Sequence, residues 1–283
     1  EVEHIGISEI DKYAIQAHRA IHGEVKNYGG IGEFEKLPPN IDICTWSFPC
    51  QDISMAGQQK GMDEGTRSNY GYVFLDTVEK MKKEERPKIL LMENVEALVS
   101  SKFEKDWEEI HIRLERMGYQ SYSKVLEATD YGITQTRRRI FVVSILGNYS
   151  YTFPKPIPLT KTKNDFLEDN VDRKYYLTQK QIEQIESWNA FQKPLENAKS
   201  KEDKYIQTIT AKSNTSMNSS MVLIKEGDKT RKLTPREAWR LMGISDSDFN
   251  KAQESGLSDS QLYKQAGNAI VVDVLVHIFK ELF

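Results

Sequence analysis

The chain has 283 residues, 39% hydrophobic and 29% charged, with a net charge of −3 and two cysteines. This composition suits one large globular domain, or a large and a small one. It excludes a disulfide framework, holds no apolar run near the ~18 residues of a membrane span, and shows no basic-then-apolar start of the signal-peptide kind.

The small negative total does not exclude a nucleic-acid partner, because phosphate contacts need a basic face rather than a basic sum. Lys and Arg gather at 136–139, 199–204 and 225–236; the middle run reads as solvated surface. Free thiols suit a reducing, cytoplasmic setting.

Taken in order, Ile5-Gly6-Ile7-Ser8-Glu9 reads as a short strand ending in an acidic turn. Residues 12–22 read as a helix, on the spacing of Tyr13, Ala17 and Ala20-Ile21. An acid at such a strand end commonly holds a ribose; the plainer reading of Glu9 is a turn residue. Tyr28-Gly29-Gly30-Ile31-Gly32 is a flexible turn and too weak a signal for a phosphate loop. Ile41-Asp42-Ile43-Cys44 enters a core as a strand. Pro49 lacks an N–H, ends that strand and leaves Cys50 in a turn just beyond it. A cysteine held by a sheet behind and open in front can serve as a nucleophile; the bland alternative is a small buried hydrophobe. Residues 53–69 are polar, glycine-punctuated and longer than most connections.

A helix is expected over 72–83, and the apolar run Ile89–Met92 then delivers Glu93 and Asn94 at a strand end. Phe103, Trp107, Ile110, Leu114 and Met117 form one stripe of a helix over 102–117, with Gly118 as its C-cap. A strand over 122–126 follows. Gln135-Thr136-Arg137-Arg138-Arg139 precedes the strand 140–146, and Arg137 and Arg139, two apart, share a face of an extended segment. The proline-rich stretch 153–158 marks a domain boundary.

Beyond it, Thr178 and Gln181 make a capping box for a helix through Trp188. Residues 207–216 are rich in hydroxyls and amides, suited to phosphates and adenine edges or to an ordinary polar hairpin. Thr234, Pro235 and Glu237 form a complete helix start. A capped helix over 258–263 and a last helix reaching Phe283 close the chain. The five histidines show no metal-ligand spacing; His18 and His22 share a helix face without a third partner.

Pro49-Cys50-Gln51, Glu93-Asn94-Val95 and Gln135-x-Arg137-x-Arg139 stand in order between strand-like runs. Together they resemble the DNA (cytosine-5)-methyltransferase family, bacterial or phage type. Arg231-x-x-x-Pro235-Arg236-Glu237 and Gly267-Asn268-Ala269 match two further motifs of that family. The resemblance implies an α/β fold, a mostly parallel Rossmann-like methyltransferase sheet with a smaller target-recognition domain. It divides the chain into a large catalytic and cofactor domain (1–154), a target-recognition domain (155–257) and a returning segment (258–283). The family's first strand and Phe-x-Gly-x-Gly loop have no counterpart here, and Gly30 falls where an aspartate is usual.

The implied reaction is transfer of a methyl group from S-adenosylmethionine to C5 of a flipped cytosine in double-stranded DNA. Cys50 would be the nucleophile, Glu93 the proton donor to the ring, Arg139 the holder of O2 and Arg137 a support. Asn94 and Gln51 would be geometric supports. S-adenosylmethionine would lie against Glu9, Ile10, Ile31, Pro49, Tyr72, Val73, Asn268 and Val271. Ser54, Lys60 and Arg67 would touch phosphates from a closing loop, and the Arg231 motif would be structural.

The implied partners are duplex DNA and a cognate restriction endonuclease, with no membrane, no metal and a monomeric state. Two other readings stand beside this one. A tRNA cytosine-5 methyltransferase shares the catalytic set, but its Cys-Phe-Thr signature is absent. A catalytically inactive or regulatory DNA-binding relative would fit the absent glycine loop.

Overall fold

The computed structural model describes all residues except 1, 36, 51–52, 54–60, 63–64, 188–192 and 201. Strands β1 (Ile43–Trp46), β2 (Ile89–Val95), β3 (Tyr119–Glu127) and β4 (Arg138–Leu146) form one sheet, ordered β1-β2-β4-β3. β1 runs parallel to β2, with Cys44 opposite Leu90. β4 is antiparallel to both β2 and β3.

The mostly parallel sheet expected from the motifs is therefore corrected to a mixed one among the described strands. The reason lies in the connection. Only residues 128–137 join β3 to β4, and a parallel return needs a crossover of about a dozen residues or more. The strand expected at residues 5–9 is a single parallel bridge between Ile7 and Asn27.

The alternation of β2 and β4 sorts the core. Leu90, Met92, Ile140 and Val142 face α2 (Tyr70–Glu79) and α3 (Glu104–Arg116), where Leu75, Val78, Ile110 and Leu114 are buried. Each such aliphatic side chain contributes about 1.5–3 kcal/mol by leaving water. On the opposite face, Leu91, Phe141, Val143 and Leu126 begin a second core. That core takes in Ala17 of α1 (Lys12–His22) and continues into Trp239, Phe249, Leu262 and Ile278.

A third, smaller core of Ile185, Ala198, Met221 and Leu223 lies with α4 (Gln179–Glu186), α5 (Lys193–Glu196) and the hairpin β5 (Leu223–Glu226)–β6 (Lys229–Lys232). The expected end of the first of these helices, Trp188, lies outside the described residues.

From Pro235 onward the chain is helical: α6 (Pro235–Arg240), α7 (Asp246–Glu254), α8 (Asp259–Asn268) and α9 (Val272–Lys280). α6 starts as its sequence requires, with Thr234 accepting from Glu237 N and Pro235 at the first turn. The sequence reading did not include α7. It packs on α1, where Gln16 donates to the Ser255 carbonyl at 2.6 Å. α8 runs five residues past the expected end at Tyr263 and carries Gly267 inside it. No helix among the described residues is long and apolar enough to cross a membrane.

Candidate active site

β2 ends on Glu93, Asn94 and Val95, and β4 begins on Arg138 and Arg139. In the antiparallel register Val95 is opposite Arg139 and Glu93 is opposite Phe141. Glu93 and Arg139 are thus diagonal neighbours on one face, the relation in which long cross-strand side chains reach each other. Glu93 Oε1 lies 3.1 Å from Arg139 Nε, and both side chains are largely buried. The other end of Arg139 is tied by Nη1, which donates to the Arg138 carbonyl at 2.7 Å.

Cys50 stands past the end of β1 in a single tight turn, its carbonyl accepting from Ile53 N at 3.1 Å. The turn is fastened from two sides. Asn94 Nδ2 donates to the Phe48 carbonyl at 3.2 Å, and Ser68 Oγ donates to the Pro49 carbonyl at 2.5 Å. Asn94 thus has the supporting place expected of it. Ser68, a buried hydroxyl at the end of the long loop, carries no signal in the sequence. Gln51, Ser54 and Lys60 lie outside the described residues.

The electrostatics couple the three groups. Burial pushes the Cys50 thiol up; the Arg139 charge then pulls it down, Glu93 pushes it up again, and its own backbone N–H and Arg137 pull it down. Burial likewise raises Glu93, against Arg139 and Arg137. Raised acids favour their protonated forms. Once Glu93 is protonated, one of the two influences that hold Cys50 up is gone.

A test follows for the free protein. Cys50 should alkylate slowly with iodoacetamide at pH 7.5, and its rate should climb with a midpoint above that of an ordinary thiol. Peptide mapping separates it from Cys44, which burial pushes up to about 12. A Cys50 midpoint below pH 8 would contradict this account.

Arg137 turns its side chain to backbone carbonyls of distant segments. Nη1 donates to the Ile209 carbonyl at 2.8 Å, and Nη2 donates to the carbonyls of Gly267 and Ala269 at 3.1 and 3.0 Å. Burial, then the Arg139 charge, lower its pKa to about 9, so it stays a cation at neutral pH. Its two Nη groups clamp three distant carbonyls behind the Glu93–Arg139 pair.

Gln135 does the same one step earlier: Nε2 donates to the Leu241 carbonyl and Oε1 accepts from Ile209 N, both at 2.9 Å. The backbone of Thr210 and Ala211 lies directly on Gly267, where any Cβ would overlap it. That contact is why a glycine sits inside α8.

The residues expected around the cofactor fall into several places. Val271 is buried beside Arg137 and Arg139 in a small cavity also lined by Leu126, Phe141 and Val274. Asn268 is exposed at the end of α8. Glu9 closes its own turn, with Oε1 accepting from the N–H groups of Ile10 and Asp11, both at 2.8 Å. Ile10 is 75% exposed. A Cβ on Gly30 would meet Ile10 Cγ2 at 3.3 Å, and Ile31 packs on the core beyond.

Asp11 is paired with Lys264, so the Glu9 turn is fastened to the helix that ends in Asn268. Pro49 is held by Ser68. Val73 lies half-buried on α2, its carbonyl accepting from Thr77. Tyr72 turns its hydroxyl toward α3, donating to Asp106 Oδ1 at 2.8 Å.

His4 supplies the third ring that the sequence reading did not find for His18 and His22, at 5.0 and 6.5 Å between centroids. Among the described residues no His, Cys, Asp and Glu group has the arrangement of a metal site.

The family model of the C-5 cytosine-specific DNA methylases matches residues 1–283. The chain is 40% identical over 262 residues to the type II methyltransferase M2.ScrFI of Lactococcus lactis subsp. cremoris, covering 91% of this chain and 71% of that protein. It is 35% identical to the type II methyltransferase M.NlaX of Neisseria lactamica, over 97% of this chain and 87% of the relative. Among solved structures, the methyltransferase EhMeth of Entamoeba histolytica superposes with a TM-score of 0.78. That likeness covers 99% of this chain and 89% of EhMeth at 19% identity, and speaks for the fold alone.

Proposed function

The chain belongs to the C-5 cytosine-specific DNA methylase family and is a DNA (cytosine-5-)-methyltransferase, and from that premise we propose that it methylates a cytosine swung out of a DNA duplex, through a covalent adduct of Cys50. The observation that carries this reading is the buried Glu93–Arg139 pair at 3.1 Å, electrostatically coupled to Cys50.

Cytosine C5 is a poor nucleophile until C6 carries a substituent. Cys50 Sγ, as thiolate, adds to C6, and the electrons of the C5–C6 bond are drawn toward N3. Glu93, whose acid form burial favours, gives N3 its proton. Arg139 holds O2 and balances the charge there. After C5 has been methylated, water takes the C5 proton, the C5–C6 double bond re-forms as the C6–S bond breaks and the thiolate leaves, and N3 returns its proton to Glu93. C6 is inaccessible inside a stacked duplex, so the base must be extruded, at a cost of about a few kcal/mol.

S-adenosylmethionine, when bound, supplies the electrophilic methyl group. The Glu9 turn fits such a group: a carboxylate fixed by its own backbone stands beside an exposed apolar side chain, Ile10. Glu9 would hold ribose hydroxyls, and Ile10 and Ile31 would meet the adenine. Pro49, Tyr72, Val73, Asn268 and Val271 complete the proposed set. Residues 155–257 are proposed as the part that reads the target sequence. The protein would act as a monomer in the cytoplasm, beside an endonuclease of the same specificity.

A duplex library carrying 5-fluorocytosine tests the adduct, because fluorine at C5 blocks the last proton loss. With S-adenosylmethionine present, the protein should give a protein–DNA band that survives denaturation. Methylation of ordinary duplexes with no such band would remove the covalent step.

A further inference from the structure

Two successive carbonyls ahead of Cys50 are each held by a side chain from a different element: Phe48 by Asn94 and Pro49 by Ser68. Pro49 has no N–H, so its carbonyl is the only polar handle on its backbone. A peptide unit is planar, and in the trans form its C=O and N–H point in opposite directions. Holding the Pro49 carbonyl therefore fixes the Pro49–Cys50 plane and aims the Cys50 N–H away from Ser68. On the far side, the Cys50 carbonyl is held by Ile53 N at 3.1 Å.

The segment that carries Ser68 is shaped to this turn at a second point. Gly71, at the start of α2, faces the Phe48 ring, and a Cβ there would come within 2.8 Å of Phe48 Cδ1. Residues 68–71 thus meet residues 48–49 with a hydroxyl where there is a carbonyl and with no side chain where there is a ring. Ser68 is fully buried, so no bulk water competes for the Pro49 carbonyl.

We propose that Ser68 is a positioning residue for Cys50: its hydroxyl locks the Pro49–Cys50 peptide plane and so sets the direction in which Cys50 Sγ is presented. The proposal rests on the reading of Cys50 as the nucleophile. The Cys50 N–H favours its own thiolate, and that benefit lasts only while the plane is held. The hydroxyl acts through Cys50 and touches no substrate.

The test compares Ser68→Ala, Ser68→Thr and Cys50→Ala in the whole protein. Three quantities are read: single-turnover methyl transfer, KM for duplex, and the pH midpoint of Cys50 alkylation. Ser68→Ala should raise the midpoint and slow transfer about tenfold, roughly what one hydrogen bond is worth, with KM unchanged. Ser68→Thr keeps the hydroxyl and should recover the rate. An unchanged midpoint and rate in Ser68→Ala overturns the proposal. So does a loss confined to KM or to the urea unfolding midpoint, which marks a merely structural hydroxyl. Full transfer by Cys50→Ala would instead remove the nucleophile reading itself, and Ser68's part with it.

Discussion

Cys50→Ala should lower methyl transfer by about 10⁴-fold or more, on the scale seen when a covalent nucleophile is removed. Duplex affinity should stay within a few-fold, because the thiol is one small side chain among many contacts. The unfolding midpoint should barely move: Cys50 is only half-buried and keeps its backbone hydrogen bond to Ile53 N. The size of the effect follows from the chemistry. In the proposed mechanism Glu93 and Arg139 polarise the ring at N3 and O2, but neither makes a bond to C6, and without that bond C5 has little nucleophilic character.

Cys50→Ser should fall nearly as far, since a hydroxyl ionises much less readily than a thiol. Glu93→Gln removes a proton donor and should cost less, about 10²–10⁴-fold. Rates from quenched single turnovers with labelled S-adenosylmethionine would establish the order. If Cys50→Ala retained a tenth of the wild-type rate, the covalent route would fail, and the pair would have to act on the ring unaided.

The residues of this site were legible because each stands beside a local break in pattern. Pro49 ends a strand; Glu93 interrupts an apolar run; Arg139 opens one. Helix boundaries were equally local where a cap set them. α1 spans the residues its periodicity marks out, and the Thr234-Pro235-Glu237 start is present in full. The direction of β4 is set by the shortness of the connection 128–137 and is not encoded in Ile140–Ile145 itself. What else failed to show in the sequence was set at long range.

α8 runs past Tyr263 and through Gly267 although glycine weakens a helix interior; the backbone of Thr210 and Ala211, lying on Gly267, is what demands glycine there. What Arg137 holds is equally hidden from the sequence. Its three carbonyl partners lie between 72 and 132 residues further along the chain, beyond any local pattern. Ser68 belongs to the same class: its value is a contact with Pro49, nineteen residues earlier.

Glu237→Ala should destabilise the fold by about 3–5 kcal/mol, the cost of removing one partner of a buried ion pair. The Arg231 and Glu237 side chains are both fully enclosed. Their contact is a fork on a fork: Nη1 to Oε2 at 2.8 Å and Nη2 to Oε1 at 2.9 Å. The same carboxylate accepts from Thr234 N at 2.8 Å and from Glu168 N at 2.9 Å. Alanine therefore removes an ion pair, half a capping box and the anchor of an incoming segment at once. Glu226, at 2.6 Å from Arg231 Nε, leaves the guanidinium one remaining acid, which holds the loss toward the lower end.

A domain of this kind has about 5–15 kcal/mol in total, so the variant should show a markedly lower urea midpoint. Arg231→Met with Glu237→Leu should recover part of the stability, because two apolar side chains leave no charge stranded. Equal midpoints for wild type and Glu237→Ala would mean that the pair does not hold this junction, and that the motif's part lies in contact with DNA instead. The distinction bears on the active site. α6 is capped by Leu241, whose carbonyl receives Gln135, and the backbone beside Gln135 leads through Arg137 to the Glu93–Arg139 pair. A junction loosened at Glu237 should reach the Glu93–Arg139 pair through that chain and, under the proposed mechanism, lower kcat at temperatures where the protein is still folded.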